Sequence, residues 1–144
     1  MQNFDPTIHH RHSIRLKGYD YSQEGLYFVT LCVQDRDCIF GNVVDGKMML
    51  NGAGRIVHNE WLKTAELRKN VQLHNFIVMP NHFHTIIRGY KSAVTRQMNA
   101  LKISFKWQRD MYEHIIRDYN DYARIDEYIL NNPEKWESDK FYNK

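Results

Sequence analysis

Cysteine is scarce in this chain. Cys32 and Cys38 are its only two among 144 residues, too few to frame a small fold with disulfides. No run approaches the roughly 18 consecutive apolar residues of a membrane-spanning helix, so contact with a membrane is not expected. The opening MQNFDPTIHH lacks the basic start and apolar stretch of a secretory signal. Reduced thiols and a cytoplasmic location are therefore expected. Charge of one sign is missing too: 20 Lys and Arg against 17 Asp and Glu give a formal +3. That balance permits contact with nucleic acid without demonstrating it. With no internal repeats, low-complexity tracts or linkers, residues 1–144 read as one domain around a single core.

What charge there is gathers in two places. Arg11, Arg15 and Lys17 lie near the start, and Lys91, Arg96, Lys102, Lys106 and Arg109 fall in one acid-poor stretch ending at Asp110. The plain reading of both is a solvated face.

Residues 1–24 show no clean period and are expected to form an extended arm. Residues 26–33 (LYFVTLCV) are rich in β-branched and aromatic side chains and read as a strand. Two short strands, 38–44 and 47–50, flank Asp45 and Gly46, a strong two-residue hairpin signal. Asn51 and Gly52 then open a helix expected to reach about Lys69, where Val57, Trp61 and Ala65 recur at helical spacing and Leu62 widens the stripe. Runs at 74–79 and 82–88 meet at Pro80 and Asn81 as a second hairpin. A helix over 91–101 sets Val94, Met98 and Leu101 on one face. An aromatic connector (Phe105, Trp107, Met111, Tyr112) and a short strand over 113–117 follow. The last helix, 118–131, stops at Pro133, and the charged tail 134–144 frays unless Trp136 and Phe141 dock. This order describes an α+β sandwich, an antiparallel sheet with helices packed on one face.

Side chains on a strand alternate between faces, so His82 and His84 point one way and Phe83 the other. Two imidazoles side by side on a stiff strand form a ready pair of metal ligands. The pair alone is a weak signal: 8 histidines in 144 residues give about 0.4 His-x-His pairs by chance. A second such pair, His10 and His12, sits in the polar arm and reads as solvated or phosphate-contacting. On the last helix, a core face of Tyr122, Ile125 and Ile129 leaves Arg124, Tyr128 and Asn132 as a neighbouring stripe at i, i+4 and i+8. Asn132 offers an oxygen ligand and Tyr128 a nucleophile. Each also has a plainer reading, a half-buried aromatic and a helix C-terminal residue before proline.

Several blocks now fall in a telling order: RLKGYDY at 15–21, YFVT at 27–30, VMPNHFH at 78–84, KSAVT at 91–95, WQR at 107–109 and YEHIIR at 112–117. Tyr128, Ile129, Asn132 and Pro133 complete them. Together they resemble the HUH single-tyrosine transposases, within them the IS200-like group and most closely the REP-associated tyrosine transposases. The resemblance implies a ferredoxin-like, HUH-type α/β sandwich, with His82 and His84 as metal ligands and Tyr128 as nucleophile. It sets Asn132 where the family supplies a third ligand from the tyrosine helix. It also implies Mg²⁺ or Mn²⁺ as cofactor, single-stranded or hairpin DNA as substrate, and either a monomer or a homodimer with a composite site. One departure is plain: relatives often carry a longer segment after the second metal-site strand, whereas Arg88, Gly89, Tyr90 and Lys91 make that junction tight.

The residue types suit such chemistry. Two neutral imidazoles and an amide oxygen leave positions open for phosphate and water, which Mg²⁺ or Mn²⁺ tolerates and a closed structural zinc site does not. A free tyrosine has a pKa near 10, so Tyr128 must lose its proton in attack, with metal-bound solvent or Glu127 as possible bases. Attack leaves a 5′-phosphotyrosine and frees a 3′-hydroxyl, so the bond energy is kept for rejoining. Arg11 and Arg15 in the arm, with Lys91, Arg96 and Lys106 around the second helix, are the candidate DNA-binding cations. Two other readings stand beside this one: a non-catalytic hairpin-binding or regulatory relative, and a zinc hydrolase, which lacks a carboxylate near the histidine pair.

Overall fold

The strand pairing that organises the chain is read from a computed structural model, which describes residues 23–143. Arg11, Arg15 and nearly all of the expected arm lie outside the described residues. The central sheet runs β4-β5-β1-β6, every neighbouring pair antiparallel. Its strands are β1 (Gly25–Cys32), β4 (Val71–Met79), β5 (His82–Gly89) and β6 (Tyr112–Ile116), with the small hairpin β2 (Gly41–Val44) and β3 (Lys47–Leu50) set apart. The β2–β3 turn falls on Asp45 and Gly46, both at positive φ, as the tight hairpin requires. Three helices complete the fold: α1 (Gly52–Leu67), α2 (Lys91–Lys102) and α3 (Tyr119–Asn131).

The α+β class and the antiparallel sheet are as expected, but the helices divide between its two faces. Tyr27, Val29 and Leu31 of β1 with Phe83 and Ile87 of β5 pack against Val57 and Trp61 of α1 and Val94, Met98 and Leu101 of α2. On the opposite face Phe28, Ile77, Ile86 and Ile116 meet Ile125 and Ile129 of α3. The one-face expectation is corrected for α3. The reason is that β1 and β5 carry apolar side chains on both sides, and a sheet with two apolar faces must be covered twice.

The last segment also docks. Trp136 and Phe141 are buried with Cys32 and Met79 at the open end of the α3 face, after a 3₁₀ turn at Trp136–Ser138. The charged tail is thus part of the fold.

One close approach fixes α1 against the chain before it. The Asn51 Oδ1 accepts the Gly54 N–H at 2.9 Å, and Asn51 Nδ2 donates to the Ile39 carbonyl at 2.9 Å. A Cβ on Gly54 would stand 2.3 Å from the Phe40 carbonyl oxygen. Alanine gains about 1 kcal/mol of helix propensity over glycine, but forcing atoms into backbone costs about 1–3 kcal/mol, and the clash should win. Gly54→Ala is expected to lower the denaturant midpoint; a midpoint at or above wild type would contradict this packing.

Candidate functional site

Alternation along β5 turns His82, His84 and Ile86 toward α3. Cross-strand register brings Cys32 and Met79 beside His82, and Thr30 and Ile77 beside His84. The two imidazoles are 0% and 1% exposed, with ring centroids 4.5 Å apart. They share one environment, closed on one side by Phe141, whose ring lies 4.7 Å from that of His82.

The hydrogen bonds fix how these rings face. Asn81 Nδ2 donates to the carbonyls of Phe141 at 2.7 Å and Arg36 at 3.2 Å, so its Oδ1 is left to accept from His82 Nδ1 at 2.8 Å. The single proton of a neutral His82 goes to Nδ1, which has the nearer amide oxygen, 2.8 Å against 3.2 Å, and Nε2 is left bare. That nitrogen faces Asn132 Oδ1 at 3.2 Å. The Asn132 amide is fixed in turn, because its Nδ2 donates to Asp139 Oδ2 at 2.7 Å. His84 Nδ1 is taken by the Thr30 hydroxyl at 2.7 Å, and its buried Nε2 has no hydrogen-bond partner among the described residues.

Burial drives the His82 pKa down to about 4, against a smaller upward pull from Asp139 and Asn132. Burial, then the neighbouring His82, holds His84 well below the usual value as well. Both rings are therefore neutral at pH 7. Two acceptors then face each other at His82 and Asn132, and His84 Nε2 beside them is a third when its Nδ1 donates to the Thr30 hydroxyl. A buried set of two imidazole nitrogens and an amide oxygen fits a divalent cation. Among the described residues no cluster of three His, Cys, Asp or Glu could do so instead. Cys32 adds no thiolate, since burial pushes its pKa up to about 11.

Tyr128 reaches this pair within a single chain. Its ring centroid is 5.2 Å from that of His84 and 6.3 Å from Phe28, and its hydroxyl donates to Asp139 Oδ2 at 2.9 Å. Burial, then the Asp139 carboxylate, raises its pKa above the ordinary tyrosine value. Glu127 is exposed. Arg124 is also exposed and pairs with Asp121 one turn back.

The expected cations are scattered. Lys91 is bound to Glu113 in a largely buried ion pair, 5.6 Å above the Tyr27 ring. Arg96 is exposed on α2, across the sheet from the histidines, and Lys106 is exposed in the connector. Sequence reasoning missed Asn81, read only as a turn residue, and Asp139, which lies in the tail. The docking of Trp136 and Phe141 was the one signal that could have pointed to Asp139.

These environments make a titration test. Both folded-state pKa values lie below the unfolded value, so the histidines' contribution to stability is full above pH 6.5 and is lost as pH falls below it, for His82 down to about pH 4. The slope is about 1.4 kcal/mol per pH unit for His82 within that window. In metal-free protein, NMR titration should find His82 neutral down to about pH 5, with melting temperature falling below pH 6.5. An imidazole midpoint near 6.5 for His82 would contradict the site as described.

No family model matches the chain. It is 35% identical over 174 aligned positions to an uncharacterized protein of Haemophilus influenzae, covering 96% of this chain and 97% of that one. Among solved structures, that of a REP-associated tyrosine transposase bound to a REP hairpin superposes with a TM-score of 0.58 at 20% identity, over 77% of this chain and 67% of the other. That likeness is one of fold. No helix among the described residues is long and apolar enough to cross a membrane. The chain belongs to the family of the Haemophilus influenzae protein, and its fold is that of the REP-associated tyrosine transposase.

Proposed function

We propose that this protein is a metal-dependent single-stranded DNA transesterase, a single-tyrosine transposase of the HUH type that acts on REP-like hairpin DNA. One observation carries the reading: a tyrosine phenol stands beside two buried neutral imidazoles, one with its Nε2 against the Asn132 amide oxygen and the other with its Nε2 unpartnered. The fold shared with a transposase whose solved complex contains a REP hairpin supports the choice of substrate.

His82, His84 and Asn132 would hold Mg²⁺ or Mn²⁺, which when bound draws charge from the non-bridging oxygens of the scissile phosphate. Tyr128 supplies the nucleophile. Burial keeps its phenol protonated at neutral pH, so as attack begins the proton passes to Asp139 Oδ2, the acceptor its hydroxyl already faces. The phenolic oxygen bonds to phosphorus while the bond from phosphorus to the 3′ oxygen breaks. That oxygen departs with the electron pair and takes up one proton, balancing the one shed by the phenol, to become a 3′-hydroxyl. The reverse attack by a 3′-hydroxyl rejoins the strand.

Binding surface lies close by. An open cleft lined by Gln34, Asp35, Arg36, Gln108, Arg109, Asp110, Met111 and Tyr112 adjoins the pair through Phe141, whose ring is 5.9 Å from Tyr112 and 5.8 Å from the Arg36 guanidinium. Arg36 and Arg109 beside Tyr112 suit an unpaired strand, with Asp35 and Asp110 on the same lining offsetting their charge. Arg11, Arg15, Arg96 and Lys106 are further proposed contacts, and Lys91 would have to leave Glu113 to join them.

A labelled REP-like hairpin incubated with protein and Mn²⁺, then run on a denaturing gel, tests the reading. Wild type should give a covalent band. Tyr128→Phe should lose it while still binding the hairpin, and His82→Ala or His84→Ala should lose cleavage. An adduct surviving in Tyr128→Phe would move the nucleophile elsewhere. Hairpin binding by wild type without any adduct would favour the non-catalytic DNA-binding relative.

A further inference from the structure

The Asn132 amide has a nitrogen end and an oxygen end of nearly equal shape, and only their partners decide which faces the imidazoles. On one side lies Asp139 Oδ2 at 2.7 Å, on the other His82 Nε2 at 3.2 Å. A carboxylate only accepts hydrogen bonds, so the amide must present its NH₂ to Asp139 and its oxygen to His82. Without that carboxylate, the NH₂ would turn to the bare His82 nitrogen and satisfy it. The oxygen ligand would then be gone, and a donor would stand in its place.

The carboxylate is itself held. Its Oδ1 accepts the Phe141 backbone N–H at 2.8 Å, and the Asp139 N–H donates to the Trp136 carbonyl at 3.0 Å. Trp136 and Phe141, both buried, pin the segment on either side. The Tyr128 hydroxyl also donates to Oδ2, at 2.9 Å, so a single oxygen atom serves both the amide and the phenol.

We propose that Asp139 is the positioning residue of this site, turning the Asn132 oxygen toward the imidazoles and holding the Tyr128 hydroxyl beside them. This rests on the transesterase reading above. It adds a component that lies outside the histidine pair and the tyrosine helix.

Asp139→Asn breaks the arrangement whichever way the new amide turns. With its oxygen toward Asn132, its NH₂ meets the Phe141 N–H; with its NH₂ toward Asn132, the Asn132 amide must flip. Loss of an outer hydrogen-bond partner of a metal ligand typically weakens affinity by about 10–100-fold, and that is the loss expected for Mn²⁺. The exchanged pair Asn132→Asp/Asp139→Asn restores a donor facing an acceptor and keeps an oxygen toward His82. It should regain the Mn²⁺ affinity lost in Asp139→Asn, the non-additivity of directly coupled residues.

Mn²⁺ binding by electron paramagnetic resonance, with the covalent-adduct assay and melting in EDTA alongside, tests this on the full chain. Weakened binding in Asp139→Asn and recovery in the exchanged pair support the proposal. Wild-type affinity in Asp139→Asn overturns it while leaving the transesterase reading intact. Failure of both wild type and variants to bind Mn²⁺ overturns the reading itself and the proposal with it. If Asp139→Asn alone does not fold, the exchanged pair decides: a folded double variant that binds no Mn²⁺ overturns the proposal.

Discussion

Two hydrogen-bond acceptors, His82 Nε2 and Asn132 Oδ1, face each other at 3.2 Å in the interior, and neither can turn away. Asn81 holds the imidazole through its other nitrogen, and Asp139 holds the amide through its NH₂. Burial keeps the ring from taking up a proton near neutral pH. Buried polar atoms left without a donor cost about 1–3 kcal/mol each. His84 Nε2 adds another unsatisfied atom to the arrangement. A divalent cation would convert that cost into binding energy.

The fold explains how such a site can exist in a chain of this size. β5 is the second strand of a sheet covered on both faces. Phe83 and Ile87 anchor it to α1 and α2, while Ile86 packs against α3. The alternate positions His82 and His84 are left toward α3 with a rigid backbone beneath them. Apolar packing at Ile125 and Ile129 then fixes the helix that carries Tyr128 and Asn132. The closing turn of the chain brings in Asp139 between two buried aromatics. Strand, helix and tail each contribute to the site, the strand two imidazoles, the helix end a phenol and an amide, the tail a carboxylate, and each is anchored by apolar contacts.

Much of this was legible in the residues. Alternation along 82–88 put the two histidines on one face, Asn51 and Gly52 marked the start of α1, and Pro133 marked the end of α3. The face taken by α3 was not legible, because the apolar stripe of a helix says that it packs but not against which side of a sheet. Nor was the fate of Lys91: its partner Glu113 lies 22 residues on, and only the β1–β6 pairing brings the two together. Asn81 and Asp139 were hidden for a related reason. Turns and tails commonly hold such residues in water, and nothing local indicates that these two are folded inward.

The most direct measurement is anomalous scattering from crystals of the protein soaked in Mn²⁺. A single peak bonded to Nε2 of His82, Nε2 of His84 and Oδ1 of Asn132, with the Tyr128 phenol beside it, is the expected result. A peak elsewhere, or none while the Asn132 NH₂ hydrogen-bonds His82, would contradict the central claim that this pocket is built around a cation.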